Sequence, residues 1–201
     1  LIRPPITAWA MGARWLAPKV PFATEVAIAE RLLDRAQKPP DEARSKALQA
    51  LAERVAARMA LPGDVSVKLS YEESAVANAY ATLRGRIRVH SALLRELRSE
   101  DELAALLAHE IAHVKHRHVA ANLSQGLTLG LLLAAVSSDA GAAAAQSALN
   151  QTAGVAMLGY SRAQEAQADA EAAEAVVALY GHAGGMVDLF TRLGRVETDA
   201  A

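Results

Sequence analysis

The apolar positions along the chain change period twice, and the changes divide it into an irregular start, a short alternating middle and a long helical remainder. Residues 1–22 keep no helical period and hold four of the seven prolines and both tryptophans, which predicts an arm lying against a domain. A helix over 24–37 is expected next, closed by Pro39 and Pro40, and a second over 41–59 with Ala47, Leu48, Leu51 and Val55 on one face. The period then becomes two: "VSVKLS" (65–70), "NAYATL" (78–83) and "RIRV" (86–89) alternate, and Arg84-Gly85 lies where a hairpin needs its turn. After Ser91 the pattern is helical, with segments expected over 91–97, 100–119, an apolar pair over 122–158, 162–180 and 184–193. The fold class is helix-rich α+β, with an arm and short helix over 1–40 and a single domain over 41–201.

The helix expected from residue 100 is unusual. Ser99 and Glu102 stand in capping-box positions, and three acidic residues open the first turn, where the helix dipole favours them. Leu103, Leu107, Ile111 and Val114 form one stripe, but Ala104, Ala105, Leu106, Ala108 and Ala112 make the other faces apolar as well, so this helix is expected to be buried. Between Leu103 and Val114 only His109, Glu110 and His113 are polar. Burying two imidazoles and a carboxylate costs several kcal/mol unless each is satisfied, about 2 or more per group. The bland account is a pair of core histidines bonded to neighbours. The sharper one is an H-E-x-x-H metal site: His109 and His113, four apart, converge on one ion, and Glu110 lies beside the water that ion would bind.

His116 is excluded from such a site by distance, because seven residues of helix put it about 10 Å along the axis from His109. Lys115, His116, Arg117 and His118 are expected to form a basic, solvated helix end. The longer H-E-x-x-H-x-x-G-x-x-H pattern fails, since position 116 is His and position 119 is Val, so a third ligand must come from another segment. A candidate segment is "YSRAQEAQADAEAAEAV" (160–176), which opens on a Ser161/Gln164 capping box and carries Glu165 and Asp169 one turn apart. Spacing leaves open which of the two carboxylates would serve, and also whether Arg162 merely neutralises them.

Composition narrows the chemistry. With 21 Lys and Arg against 22 Asp and Glu and no basic block, nucleic acid is not an expected partner. With no cysteine, a metal must be held by His and carboxylate. Residues 119–160 carry Asp139 as their one charge, but the apolar centre 126–136 is shorter than the ~20 residues a bilayer crossing needs. Membrane association through 119–160 is therefore the weaker reading. The chain begins at Leu1, which suggests that a targeting segment has been removed.

"HEIAH" (109–113), followed by "SRAQEAQAD" (161–169) and preceded by "NAYA" (78–81), resembles the HtpX and CAAX-prenyl-protease type of zinc metallopeptidase, including its soluble bacterial envelope branch. The resemblance implies a gluzincin-like fold in which the small sheet packs on the active-site helix, with one Zn2+ per chain held by His109, His113 and Glu165. It implies Glu110 as the general base acting with a zinc-activated water, and Asp169 as the acceptor that orients a ligand histidine. Asn78 and Ala79 would offer backbone groups to an extended polypeptide substrate. The expected function is an endopeptidase acting on misfolded or envelope proteins in the bacterial periplasm or cell envelope. The alternative is an autoinhibited or proteolytically silent zinc-bound chaperone or scaffold that uses 119–160. Departures from the family pattern are "GHAGG" (181–185) in place of G-Y-D-P, and the Ala- and Gly-rich 126–158. His182, Tyr160, Tyr180 and Arg162 are the candidates for oxyanion stabilisation.

Overall fold

The computed structural model of the chain describes residues 41–122 and 159–199; the expected arm over 1–22, the helix over 24–37 and nearly all of the apolar pair over 122–158 lie outside these residues. The chain divides into two compact units, one of residues 1–37 and 116–160 and the other of residues 38–115 and 161–201. In the first, His116 and Arg117 form a turn in which Arg117 has φ 55°, and helix begins at 118. The His118 ring stacks on His116 at 5.5 Å and lies 6.0 Å from Tyr160. His118 is buried, so the solvated basic helix end expected at 115–118 does not extend to it. A left-handed residue at 117 breaks the helical direction from which that expectation was drawn.

The second unit is built around one helix. Helix α1 (Glu42–Ala56) starts at Asp41, whose Oδ1 accepts from the Arg44 N–H at 3.0 Å. It buries Leu48, Leu51, Ala52 and Val55, a row of i, i+3, i+4 and i+7 positions; Ala47, expected on that face, is exposed one position off it. Strands β1 (Lys68–Glu72), β2 (Ala79–Ala81) and β3 (Arg86–His90) form a sheet in the order β1-β3-β2, with β1 parallel and β2 antiparallel to β3. The expected turn between β2 and β3 is present: Arg84 and Gly85 have φ 69° and 64°, and Thr82 N–H donates to the Arg86 carbonyl at 2.7 Å. Two successive left-handed residues match the twist of a tight hairpin.

The outer edge of β1 is closed by α1. Gln49 takes the Leu69 N–H at 2.8 Å and donates to the Val67 carbonyl at 3.1 Å, and Ser45 Oγ takes the Tyr71 N–H at 2.9 Å. This leaves β2 as the open edge of the sheet. After α2 (Ser91–Glu96), helix α3 (Glu100–Lys115) packs against α1, β2 and β3 and also against α4 (Arg162–Tyr180) and α5 (Gly184–Asp199). Neighbours on all sides explain why α3 is apolar nearly all round. The Ser161/Gln164 capping box closes on both sides, at 2.8 and 3.3 Å, and Gly181 ends α4 at φ 80°. No helix among the described residues is long and apolar enough to cross a membrane.

The other expected capping box closes on one side only. Ser99 Oγ takes the Glu102 N–H at 3.3 Å, but Glu102 accepts from Arg98 N–H and turns its carboxylate to Arg192 of α5, at 2.7 and 3.1 Å. The Glu102 side chain is 3% exposed and that of Arg192 19%. The Arg192 guanidinium holds the Glu102 carboxyl below the usual carboxylate range. Replacing Arg192 by Met strands the Glu102 carboxylate, with an expected loss of stability at neutral pH, read by urea unfolding. Because the folded pKa of Glu102 is lowered, the ion pair stabilises the fold above the ordinary carboxylate range and is lost as pH falls through the lowered value. The difference between wild type and variant should therefore shrink in acid; a difference that grows there would contradict the pairing.

Candidate functional site

The site is assembled from two helices and one strand edge. On α3, His109 and His113 follow one another by a turn, with Nε2 atoms 3.0 Å apart and ring centroids 4.7 Å apart. His113 is fully buried, whereas the His109 side chain is 18% exposed. From α4, Glu165 brings Oε2 to 3.4 Å from His109 Nε2 and Oε1 to 4.0 Å from His113 Nε2. One donor atom from each of the three residues lies within 4.8 Å of the others, and among the described residues this is the group able to hold a metal ion. Donors each about 2.0–2.1 Å from a tetrahedral zinc lie about 3.3 Å apart, so two imidazoles and a carboxylate at these separations suit such an ion.

Asp169, one turn further along α4, meets the opposite nitrogen of the same ring: its Oδ1 is 2.9 Å from His109 Nδ1. A proton held on Nδ1 leaves the Nε2 lone pair facing the cluster. Among the described residues neither Glu165 nor Asp169 is paired with Arg162, so the neutralised surface pair weighed from the sequence is not what α4 presents. Lys115 and Glu171, 2.7 Å apart, tie α3 to α4 beyond the cluster.

Glu110 is buried, and its Oε2 accepts the Ala81 N–H of β2 at 2.8 Å. Burial pushes the Glu110 carboxyl up to about 8; the Ala81 N–H opposes the rise and the Glu165 charge adds to it. The pairing register explains why that N–H is available. Asn78, Tyr80 and Thr82 exchange hydrogen bonds with β3, so Ala79 and Ala81 turn their backbone groups to the open edge.

His109, Glu110 and Glu165 open onto a cleft of about 230 Å³ that is also bordered by Ala77, Asn78 and Ala79. Its remaining lining is apolar: Leu93, Leu106, Met186, Leu189, Phe190 and Leu193. The structure thus brings His109, His113, Glu110, Glu165 and Asp169 together and sets Asn78 and Ala79 at the rim. Of the oxyanion candidates in the same unit, it does not bring Tyr180, His182 or Arg162 with them. Tyr180 donates to Glu100 at 2.8 Å, and His182 lies beside it; both are at the far end of α4, about 22 Å of helix from Glu165. Arg162 is not among the lining residues. Sequence reasoning missed the Ala81 amide and the α5 wall. The wall had a readable signal, since Met186, Leu189, Phe190 and Leu193 are spaced i, i+3, i+4 and i+7.

Comparison with known proteins finds a matching family and several relatives. The model of peptidase family M48 matches residues 42–198. A putative beta-barrel assembly-enhancing protease of Vibrio cholerae is 35% identical over 129 residues, which are 58% of this chain and 26% of that protein. The beta-barrel assembly-enhancing protease of Escherichia coli is 35% identical over 102 residues, 46% of this chain and 21% of that protein. The protein of the same name from Yersinia pestis is 54% identical over 43 residues, 21% of this chain and 9% of its own length. The chain therefore spans about a quarter or less of the length of these relatives. A family match over more than three quarters of the residues, on a fold that gathers two histidines and a glutamate beside a buried carboxylate, shows that this chain belongs to peptidase family M48.

Proposed function

We propose that the chain is a zinc-dependent endopeptidase in which His109, His113 and Glu165 hold the metal, Glu110 is the general base and Asp169 keeps His109 in its ligating tautomer. The observation that carries this reading is the three-donor group within 4.8 Å, with a buried carboxylate one residue along the same helix. The likeness to HtpX and CAAX-prenyl-protease type enzymes, with a gluzincin-like fold over 41–201 behind the arm of 1–40, is part of the same reading.

Bound zinc would polarise the scissile carbonyl and make a water acidic enough to attack it. The work of the chain is positioning and proton transfer. The Ala81 N–H fixes one Glu110 oxygen, leaving the other for the cleft, where it takes the proton of the attacking water and hands it to the leaving amine. Glu110 would be held in its ionised form, against the effect of burial, by a dication at the cluster, as a base requires. The outward backbone groups of Ala79, with Asn78 beside them, are suited to hold an extended polypeptide by strand addition. Because similar proteins bear the name beta-barrel assembly-enhancing protease, the proposed substrates are envelope proteins and the proposed location is the bacterial periplasm or cell envelope.

Metal analysis combined with digestion of an unfolded protein tests this reading. One zinc per chain is expected, with digestion lost on chelation and restored by zinc; digestion that survives complete chelation would sink the proposal. Zinc without turnover would favour the silent chaperone or scaffold instead. In the same assay Asp169→Asn should weaken zinc affinity by about 10- to 100-fold, because an amide no longer accepts a charge-assisted bond from His109 Nδ1.

A further inference from the structure

We propose that the α5 wall of the cleft is a specificity subsite that takes one large apolar side chain, of the Leu, Phe or Met class, from the polypeptide beside the bond to be cut. This rests on the peptidase reading above. Met186, Leu189, Phe190 and Leu193 form a single stripe on α5, and Leu93 and Leu106 complete the apolar lining. The charged residues of the cleft are Glu110 and Glu165, both in the hydrolytic cluster; the apolar part offers a polar or charged substrate side chain no partner.

The geometry of the strand edge directs a side chain there. Ala79 and Ala81 pair with Val89 and Ile87, which are buried on the inner face of the sheet. In a polypeptide added along β2, alternate residues project to that inner face, the side on which α3 lies. Ala79 and Ala81 are themselves small, so the added side chains are not crowded at the rim. Met186 and Leu189 are buried, but Phe190 is 46% exposed, leaving apolar surface in the lining for a substrate side chain to cover.

The wall is also held at a fixed distance. Arg192 pairs with the buried Glu102 of α3, and Gly185 lets the start of α5 approach the Asp101 backbone more closely than any residue with a Cβ could. A wall anchored at both ends selects by size as well as by polarity.

The test separates binding from hydrolysis. Short fluorescent peptides that differ at one position are bound to the zinc-loaded Glu110→Gln chain and, separately, cleaved by the zinc-loaded wild type. Leu, Phe or Met at one position should bind at least about tenfold tighter than Ser, Asp or Lys there. Phe190→Ala in the Glu110→Gln background should reduce that preference to about threefold or less, with zinc content and circular dichroism unchanged. Phe190→Leu should keep most of it, and Leu193→Ala provides a second truncation of the same wall. Equal binding of all peptides, or a preference untouched by both truncations, overturns the subsite while leaving wild-type cleavage to support the peptidase reading. A binding preference with no cleavage by the wild type supports the subsite and overturns the peptidase reading.

Discussion

Replacing Glu110 by Gln is expected to lower kcat of the zinc-loaded chain by about a thousandfold while leaving one zinc per chain, as metal analysis and a peptide-cleavage assay would show. The substitution is close to isosteric, and the Gln carbonyl oxygen can still accept the Ala81 N–H, so the contact between α3 and β2 survives. What is lost is the ability to take a proton. Metal-free protein supplies an independent check. Because burial raises the Glu110 pKa from 4.5 to about 8, the fold binds a proton that the unfolded chain has released, and wild-type stability should fall as pH rises across that interval. The Gln variant has no such group and should melt with less dependence on pH there. Cleavage by the variant at the wild-type rate would remove Glu110 from the mechanism.

Gly185→Ala is expected to be strongly destabilising. A Cβ at 185 would run into the Asp101 carbonyl group and stand 2.9 Å from the Glu102 nitrogen. These are backbone atoms of the first turn of α3 and cannot swing aside, so α5 itself must move, at a cost of about 3 kcal/mol. That movement pulls Arg192 from Glu102 and displaces the cleft wall carrying Met186, Leu189 and Phe190. Lower thermal stability should therefore accompany weaker binding of peptides with a large apolar residue. The neighbouring glycine is the internal control. A Cβ at Gly184 meets the His182 ring nitrogen at 3.1 Å, the end of a side chain that can turn away, so Gly184→Ala should change stability by about 0.5 kcal/mol or less. Equal losses at the two positions would contradict the close approach of α5 to α3.

Much of the architecture was legible because its causes are local. The Ser161/Gln164 box and the Arg84-Gly85 turn each involve residues no more than four apart, and each forms as its spacing predicts. Helix α4 runs over 162–180, the range its period predicts. Helix α5 extends past the expected 193 to Asp199, where polar residues had ended the apolar stripe that marked it. β1 begins at Lys68 rather than 65 because the strand it pairs with, β3, starts at Arg86, opposite Lys68.

For the candidate site the division is sharper. A four-residue spacing on one helix was enough to place His109 and His113 side by side, and the all-round apolar pattern of α3 was enough to bury them, because both follow from 3.6 residues per turn. The same spacing could not distinguish Glu165 from Asp169. That depends on how α4 crosses α3, which puts Glu165 opposite the Nε2 atoms and Asp169 against His109 Nδ1. Tertiary structure likewise decided that Ala81 supplies the amide for Glu110, that Arg192 rather than the helix start takes the Glu102 carboxylate, and that α5 walls the cleft. Each joins residues 29 to 90 positions apart in the chain, or elements folded back over such distances, and no periodicity encodes that meeting. The sequence by itself determined the elements and the half of the site carried on one helix; only packing decided what the other elements bring to it, because a side chain's long-range partner is set by the crossing of whole helices and strands.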